Sequence, residues 1–396
     1  MKKKLSLTCV ALLFSAAASA DDFAACVQQL RQKALDEGIS PAVVHKALDS
    51  VHFSQRVVEL DRRQPEFTET FGRYLRRRVT ASRIQQGKDV LAANRTELNR
   101  IAGHYGVPAH YLVAFWGLET HFGAHVGNMP TLDSLATLAC DQRRSGYFTD
   151  QLMAALNLVD RDGVTTDQLK GSWAGALGNF QFMPSVYLRY AVDRDGDGRP
   201  DLWNSLPDAA ASAANYLQAL GWHRDERWGR EVRLPKGFPY HVAGLDHSRP
   251  LTEWRRLGVR RADGGPLPDA DMRASLLVPS GHQGPAFLVY HNFRVIMGWN
   301  RSQFYALSVG LLADRLAGCG PLRQTPPEGR RLTRQQIEAL QKRLNARGFD
   351  AGPPDGLLGP KTRGAIRAYQ QANHRIADGH PDDALFRALG IGRGGV

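Results

Sequence analysis

Apolar residues recur at every third or fourth position over most of the first two-thirds of the chain, a period typical of helices with one buried face. The pattern predicts consecutive helices from Phe23 to about Gly106. Within this stretch, Ser40-Pro41 combines a capping residue with a proline at the first helical position, which favours a helix start. The segment Val79 to Tyr105 is amphipathic throughout and predicts one long helix.

The helical period continues beyond Gly106 and is interrupted once. Further helices are predicted after Pro108 and over Thr131–Leu138, Tyr147–Val159, Leu206–Leu220 and Arg301–Leu316. Strand-rich composition over Glu231–Leu234 and Phe287–Met297 predicts a small sheet, with His291-Asn292 as a candidate hairpin turn. The expected fold is therefore mainly α, with a small β insertion in a helical domain.

One carboxylate lies in the middle of the apolar segment Tyr111 to Gly123. If the segment is a helix, the same-face neighbours of Glu119 include Phe115, Trp116 and Phe122. Poor solvation disfavours the charged form, so the pKa of this carboxyl should rise, which suits a general acid. A glutamate that pairs with an arginine or reaches water at the helix end is the structural alternative.

The N-terminus has the three parts of a secretory leader. Lys2 to Lys4 precede an apolar run from Leu5 to Ala18, and Ala18-Ser19-Ala20 is a small-x-small cleavage site. The apolar run is short for a membrane span, and no later segment reaches that length without charge. We expect a leader over residues 1–20 and an exported, soluble mature chain without a membrane span.

Three cysteines follow the leader, namely Cys26, Cys140 and Cys319. An oxidising compartment permits a disulfide, and an odd number leaves one cysteine unpaired. The sequence does not determine the pairing, although Cys26 with Cys319 would join both ends of the large domain. Lipid modification of Cys9 or Cys26 is an alternative that fits poorly, because Cys9 lies inside the apolar run and two acidic residues precede Cys26. No cluster of cysteine and histidine has metal-ligand spacing.

The chain is basic, since 51 Lys and Arg outnumber 39 Asp and Glu to give a net charge of +12. This excess favours acidic partners, and nucleic acid, an anionic lipid surface and an anionic wall polymer are the candidates. The densest basic run, Arg76 to Arg78, is short and is interpreted as a solvated helix face. Export and the lack of a nucleic-acid-binding motif in the sequence argue against nucleic acid.

The segment Ser172 to Tyr187 is rich in glycine and aromatic residues. Its glycines permit close backbone approach or positive φ. Ser172, Asn179 and Gln181 lie among aromatic rings, a combination that suits sugar recognition, in which rings stack on sugar faces and amides bond to hydroxyls. A turn between helices with ordinary core aromatics is the alternative.

Residues 193–204, DRDGDGRPDLWN, begin with the D-x-D-x-D-G pattern of an EF-hand loop. Regularly spaced carboxylates repel one another without a cation, so the pattern favours a structural Ca²⁺ over an acidic surface turn. Position twelve is Asn204 where an EF-hand has glutamate, and Asp208 is a candidate for the missing carboxylate.

The last part of the chain follows a stretch rich in Gly and Pro. Thr333 and Gln336 form a capping-box signature for a helix that runs to Ala346. Two further helices are predicted over Thr362–Asn373 and Asp382–Leu389. The predicted organisation is a leader over residues 1–20, a large domain over 21–318, a linker over 319–331 and a small three-helix domain over 332–392.

Six motifs follow one another along the large domain. They are YGVPAHYLVAFWGLETHFG, LDSLATLACDQRR, KGSWAGALGNFQFMPSVY, VDRDGDG with DLWN, AANYLQALGW and MGWNRSQFYA. From Phe23 to about Ala317 the chain therefore resembles the lytic murein transglycosylase B family, and the resemblance implies a lysozyme-like α+β catalytic domain. The segment LTRQQIEALQKRLNARGFDAGPPDGLLGPKTRGAIRAYQ resembles the common three-helix peptidoglycan-binding domain.

The resemblance implies roles for the residues that match the family's motifs. Glu119 matches the family's single catalytic acid. The implied substrate-binding residues are Arg143, Arg144, Tyr147, Ser172, Gln181, Phe182, Tyr216, Trp299, Asn300 and Tyr305. Trp299 stands where the family often has tyrosine, so a sugar-stacking face is kept and a hydroxyl is lost.

The resemblance also implies a structural Ca²⁺ site and no organic cofactor. The implied ligands are Asp193, Asp195, Asp197, the backbone carbonyl of Arg199, and Asp208. The family often has a neutral residue at the position of Asp195, so the coordination is expected to differ in detail.

The implied reaction cleaves the β-1,4 bond between N-acetylmuramic acid and N-acetylglucosamine and forms 1,6-anhydromuramic ends, with Glu119 as acid and then base. No second carboxylate stands out near Glu119 in the sequence, whereas most glycosidases use two. A lysozyme-type muramidase that hydrolyses the same bond and a non-catalytic wall-binding protein remain alternatives. The expected partners are peptidoglycan glycan strands and other cell-wall enzymes, in the periplasm.

Overall fold

The computed structural model describes residues 20–62 and 69–392. The predicted leader and Cys9 lie outside these residues, except for Ala20, at which the first helix begins. The described residues form seventeen α-helices and seven short strands, so the expectation of a mainly helical fold with a small β part is confirmed. None of these helices combines the length and the apolar character that a membrane crossing requires.

Six helices precede Gly106, as the hydrophobic period predicts. They are α1 (Ala20–Asp36), α2 (Pro41–Leu48), α3 (Gln55–Arg62), α4 (Phe71–Arg78), α5 (Ala81–Ala93) and α6 (Arg95–Tyr105). The prediction of one helix from Val79 to Tyr105 is wrong, because the chain leaves helical geometry at Asn94, with φ −111° and ψ 18°. The Asn94 side chain donates to the carbonyl of Val90 at 3.0 Å, a local bond that competes with continuation of the helix.

Five further helices surround the sequence motifs of the middle of the chain. They are α7 (Ala109–Thr120), α8 (Thr131–Ala139), α9 (Ser145–Arg161), α10 (Pro184–Tyr190) and α11 (Leu206–Ala219). A two-stranded antiparallel ladder pairs β1 (Met129–Pro130) with β2 (Lys170–Gly171).

A five-stranded antiparallel sheet has the strand order β4-β6-β7-β3-β5. Its strands are β3 (Gly229–Arg233), β4 (Ser248–Pro250), β5 (Arg260–Arg261), β6 (Arg273–Leu277) and β7 (Ala286–Val289), with the short helix α12 (Leu251–Arg256) between β4 and β5. The sheet has its own apolar core, in which Trp254 is fully buried and donates its indole N–H to the carbonyl of Ala274 at 3.0 Å. The small β insertion is therefore confirmed.

The predicted hairpin turn at His291-Asn292 is wrong. The strand β7 ends at Val289, and α13 (His291–Trp299) begins where the turn was expected. Asn292 is buried and fixes this helix start, because it accepts from the N–H of His223 at 2.8 Å and donates to the carbonyl of Glu226. Helix α14 (Gln303–Leu316) follows.

Three helices form the C-terminal part, as predicted. They are α15 (Arg334–Asn345), α16 (Pro360–Ala372) and α17 (Asp383–Ala388). Thr333 and Gln336 form the predicted capping box. The three helices enclose their own core, in which Ile337, Leu340 and Ile366 are fully buried.

The chain divides into two compact units. The first unit runs to Asp61 and includes Asn128–Ala176 and Met183–Leu188. The second unit comprises Arg62–Gly127, Leu177–Phe182 and the chain from Arg189 onward, with the C-terminal helices in it. The domain limits read from the sequence stay a prediction.

The first unit contains a disulfide between Cys26 on α1 and Cys140 after α8, and these residues are 114 positions apart. The pairing of Cys26 with Cys319 suggested by the sequence is wrong. Cys319 is a free, exposed thiol.

The backbone of the predicted linker forms hydrogen bonds with other residues of the second unit. The N–H groups of Arg323 and Gln324 each donate to the carboxylate of Glu231 at 2.8 Å. Farther along, the hydroxyl of Thr70 donates to the carbonyl of Glu328 at 2.9 Å. These bonds fix the backbone of the linker at two separate places.

Candidate active site

Helix α7 carries the central carboxylate and is buried on nearly all sides, as an apolar helix without a polar face should be. The helix ends at Thr120, and the next two residues, His121 and Phe122, have positive φ, at 55° and 59°. Phe122 therefore lies beyond the helix and not on its face, in contrast to the expectation from the sequence. Its ring folds back onto Gly117, where an added Cβ would lie 2.7 Å from the ring. Two consecutive left-handed residues without glycine are strained, and such strain is common at functional sites.

The carboxylate of Glu119 receives two hydrogen bonds, and both reach the same oxygen. The indole N–H of Trp299 donates to Oε1 at 3.0 Å, and the hydroxyl of Tyr305 donates to the same Oε1. In residues 20–62 and 69–392, no hydrogen bond reaches Oε2. Because the indole can only donate, Oε1 must act as acceptor, and a proton on the carboxyl resides on Oε2.

Burial raises the pKa of Glu119 to about 7, while the hydrogen bonds from Tyr305 and Trp299 and the positive charge of Arg78 lower it. Glu119 keeps some exposure as a residue, but its carboxyl is enclosed by protein atoms, so the loss of hydration is the largest cause. The alternative of a glutamate neutralised by an arginine is not found, since no described residue forms an ion pair with it. A carboxyl with this pKa can hold a proton near neutral pH and also release it.

Aromatic rings pack around Trp299 beside the acid. Its ring lies 4.7 Å from the ring of Phe115 and 5.3 Å from those of Phe182 and Tyr216, measured between centroids. Phe182 is fully buried, so its ring supports Trp299 and has no face open to solvent. Five predicted site residues of the second unit lie together here, namely Glu119, Phe182, Tyr216, Trp299 and Tyr305.

The segment rich in glycine and aromatics is bonded to the helix of the acid through Asn179. The indole N–H of Trp116 donates to Asn179 Oδ1 at 2.9 Å, and the hydroxyl of Thr120 donates to the Asn179 carbonyl at 2.7 Å. The Asn179 amide donates in turn to the carbonyl of Trp203 at 2.7 Å. Asn179, a candidate for sugar recognition in the sequence, is therefore a buried structural residue that positions α7.

Gln181 has a different position in the same segment. Its backbone is left-handed, with φ 52°, and its amide N–H group donates to the carbonyls of Val126 at 2.9 Å and Gly178 at 3.0 Å. Gly178 is required here, since an added Cβ would lie 2.5 Å from the carbonyl oxygen of Leu202.

Asn300, at the end of α13, is exposed and accepts from the N–H of Ser302.

The remaining predicted site residues, Arg143, Arg144, Tyr147 and Ser172, lie in the first unit. Both arginines form ion pairs with the buried carboxylate of Asp61. Tyr147 is 48% exposed, and the hydroxyl of Ser172 accepts from the N–H of Ala176 at 3.1 Å. Asp61 was missed by the sequence reasoning, because nothing in its immediate sequence context distinguishes it from an ordinary helix residue.

The aspartates of the acidic loop come together as predicted. Asp193, Asp195 and Asp197 are exposed, and each has a carboxylate oxygen within 4.8 Å of those of the other two. Ca²⁺ binds oxygens at about 2.3–2.6 Å, so two ligands of one ion lie within about 5 Å of each other. The donor set and its spacing therefore fit a calcium ion.

Asp208, in the first turn of α11, accepts hydrogen bonds from the backbone of the acidic loop. It is fully buried, and its Oδ1 accepts from the N–H groups of Arg194 at 2.7 Å and Asp195 at 3.1 Å. Its Oδ2 accepts from the N–H of Asp201 at 2.8 Å. The ligand role read from the sequence stays a prediction for Asp208 and for the Arg199 carbonyl.

Comparison with known families gives two matches. Residues 22–314 match the family described as transglycosylase SLT domain. Residues 333–389 match a peptidoglycan binding domain family.

Known proteins and solved structures give consistent matches. The chain is 34% identical over 258 residues to membrane-bound lytic murein transglycosylase B of Escherichia coli, covering 62% of this chain and 67% of that protein. SltB3 from Pseudomonas aeruginosa, solved in complex with NAG-anhNAM-pentapeptide, is similar with a TM-score of 0.89 and 46% identity, covering 93% of this chain and 99% of that chain. The Escherichia coli lytic transglycosylase Slt35, solved in complex with calcium, has a TM-score of 0.65 and 30% identity, covering 74% of this chain and 92% of that chain.

Proposed function

The chain belongs to the transglycosylase SLT domain family, and from that membership we propose that Glu119 is its catalytic acid. The protein is a lytic murein transglycosylase with a lysozyme-like fold that acts on peptidoglycan. The observation that supports the proposal is the pairing of a pKa near 7 with two donors on one oxygen of Glu119. This arrangement leaves the other oxygen free to exchange a proton with the substrate.

The proposed reaction proceeds in two proton transfers through Oε2. Protonated Glu119 first gives its proton to the oxygen of the β-1,4 bond between N-acetylmuramic acid and N-acetylglucosamine, and the bond to C1 breaks. The muramic acetamido group stabilises the positive charge that develops at C1. The Glu119 carboxylate then takes the proton of the muramic C6 hydroxyl as that oxygen attacks C1. The product is a 1,6-anhydromuramic end, and no water is consumed.

Several observations support peptidoglycan glycan strands as the substrate of this mechanism. SltB3 was crystallised with NAG-anhNAM-pentapeptide and with NAG-NAM-pentapeptide, which contain the two sugars of the proposed bond. The aromatic packing around Trp299 keeps an indole beside the acid, where a sugar ring can stack.

Mass analysis of muropeptides released from purified sacculi tests this proposal. Anhydro ends are lighter than hydrolysed ends by one water, so a transglycosylase and a muramidase give different masses. We expect anhydro ends only. Hydrolysed ends would assign the muramidase alternative, and undigested sacculi would assign a wall-binding protein without activity.

Changing Trp299 to Phe is expected to raise the pKa of Glu119 by about one unit, because a hydrogen bond to the charged form is lost. The acid must be protonated in the first step, so activity falls as the pH rises through this pKa. The basic limb of the kcat/KM profile should therefore move from about 7 in the wild type to higher pH in the variant.

The matched control for this prediction is Trp222→Phe, since the indole N–H of Trp222 is buried and has no acceptor in the described structure. Its basic limb should coincide with that of the wild type. A basic limb in Trp299→Phe that stays in place or moves to lower pH would contradict the assignment of this hydrogen bond.

We also propose that the acidic loop binds Ca²⁺ as a structural ion. The spacing of its three carboxylates and the calcium complex of Slt35 support this proposal. When bound, the ion would neutralise the mutual repulsion of Asp193, Asp195 and Asp197.

Calcium at 100 times its dissociation constant is expected to stabilise the fold by about 2.7 kcal/mol and to raise the Tm by about 2–5 °C. Calorimetric melting with Ca²⁺ or with a chelator measures this shift. The Asp197→Ala variant should lose it, whereas Asp269→Ala, which removes an exposed carboxylate elsewhere, should keep it. Equal melting with and without Ca²⁺ would refute the site.

The periplasm is the proposed location. The predicted leader over residues 1–20, the disulfide between Cys26 and Cys140 and the cell-wall substrate support it. Fractionation of cells that produce the full chain, followed by immunodetection, tests it.

A further inference from the structure

A cavity lies between the three-helix part and the sheet, within the second unit. Its volume is about 190 Å³, and it shares no lining residue with the surroundings of Glu119. Leu276 and Val278 line it from the sheet side, Arg294 from α13, and Arg363 and Arg367 from α16. The cavity is therefore built from the catalytic part and from the wall-binding part together.

Two of its arginines have no partner. Arg363 and Arg367 are four residues apart on α16, so their side chains share one face of the helix. Neither guanidinium donates a hydrogen bond or forms an ion pair within the described chain. Burial and the neighbouring charge of Arg367 lower the pKa of Arg363 to about 10, against the charge of Asp378, which raises it. Two like charges held close together without a direct ion pair cost free energy, which a bound anion would reduce.

Burial lowers the pKa of Arg367, and the nearby charges of Asp246 and Asp378 raise it, but neither carboxylate forms an ion pair with a guanidinium of the cavity among the described residues. Asp378 accepts from the N–H and Nδ1 of His282 at 2.9 and 2.7 Å, and also from Gln370 and the N–H of His380. Asp246 forms no ion pair within 4.0 Å among the described residues. The third arginine, Arg294, already donates to backbone and hydroxyl oxygens. Arg363 and Arg367 are therefore the arginines of the cavity that lack a direct hydrogen-bond or ion-pair partner in the described part of the chain.

The cavity has room for a small ligand and an entry for a longer one. Leu276 and Val278 form an apolar wall of the cavity beside the arginines. An open groove of about 630 Å³ shares Asp246, Pro360 and Arg367 with the cavity. A chain with a terminal carboxylate can thus place its end on the arginines while its preceding residues follow the groove.

We propose that this cavity binds the C-terminal carboxylate of a peptidoglycan stem peptide, with Arg363 and Arg367 as the residues that hold it. Planar guanidinium groups match carboxylates through paired hydrogen bonds, which explains two arginines in place of two lysines. The proposal rests on the proposed function for the identity of the peptide. It makes the C-terminal part and the sheet a peptide-binding site separate from the site of Glu119.

The test measures binding of a sugar-free stem pentapeptide by titration calorimetry to the full chain carrying Glu119→Gln. The peptide is used with a free C-terminal carboxylate and with a C-terminal amide. We expect the amide to bind at least tenfold more weakly. Arg367→Gln and Arg363→Gln should each bind the free-acid peptide at least tenfold more weakly than the parent chain. Arg363→Lys keeps the charge and should lose less of this affinity than Arg363→Gln.

Arg375→Gln is the matched control, because it removes the same charge from an exposed position outside the cavity. The Arg375→Gln variant should bind the free-acid peptide with the same affinity as the parent chain. Equal affinity for acid and amide, or an unchanged affinity in Arg367→Gln, would overturn the proposal. Failure here is distinct from failure of the proposed function, because the latter shows in the muropeptide masses of the wild type, whereas the binding test uses a chain that does not need to cleave.

Discussion

Replacing Glu119 by Gln is expected to reduce the release of muropeptides from sacculi by about 10²–10⁴-fold or more, since the substitution removes the group that gives and takes the proton. Glutamine keeps the size of the side chain and an oxygen that can accept from Trp299 and Tyr305. Binding of sacculi, measured by co-sedimentation, should therefore persist. A turbidity assay with product masses measures the loss. Digestion at the wild-type rate would remove Glu119 from the mechanism.

The same substitution has a second expected effect, on stability. A carboxyl with a pKa of about 7 in the folded state and 4.5 as its ordinary value destabilises the fold as the pH rises between these values, because the unfolded chain ionises first. The Glu119→Gln variant lacks this penalty. At pH 8 its free energy of unfolding should exceed that of the wild type by roughly 3 kcal/mol, and at pH 4 the two should be similar.

Glu37→Gln is the control, since Glu37 is an exposed residue that pairs with Lys33. It should retain full activity and show no gain in stability at pH 8. An inactive Glu119→Gln that also unfolds more easily at pH 8 would indicate a folding defect and contradict the burial of this carboxyl.

Replacing Cys140 by Ser is expected to lower the free energy of unfolding by about 2–4 kcal/mol. The disulfide joins residues 114 positions apart, so its loss frees a long loop in the unfolded chain. Denaturant unfolding of the oxidised wild type and of the variant measures the difference. Reduction of the wild type should lower its stability to that of the variant.

Cys319→Ser is the matched control, because Cys319 is exposed and unpaired. Its unfolding curve should coincide with that of the wild type. Equal stability of Cys140→Ser and Cys319→Ser would contradict the assigned pairing.

Local patterns in the sequence were sufficient for much of the fold. The 3.6-residue period identified the helices, and the capping box at Thr333 located α15 closely. The break at Asn94 was missed, because its cause is a single side-chain bond to Val90 within an otherwise continuous apolar pattern. The start of α13 was missed since buried Asn292 takes its partners from residues about 70 positions earlier in the chain.

In the candidate site, too, local sequence patterns predicted some features, and contacts between distant residues determined the others. An acid in an apolar helix could be recognised locally, and so could its raised pKa. The hydrogen bond from Trp299 to Glu119 spans 180 positions, and no local pattern specifies it. Likewise, the organising role of Asp208 depends on a loop conformation in which one carboxylate meets three backbone N–H groups.

The hydrogen bonds that hold the linker backbone bear on how the wall-binding part can assist cleavage. A domain on a flexible tether raises the effective concentration of its partner over a broad range of distances. Here Glu231 and Thr70 hold the linker backbone at two places, so we expect the distances between the proposed peptide cavity and Glu119 to vary less than on a free tether. On this proposal, avidity is expected to be highest on strands whose stem peptide and scissile bond match this narrower range of distances, which would give selectivity for wall geometry in exchange for reach.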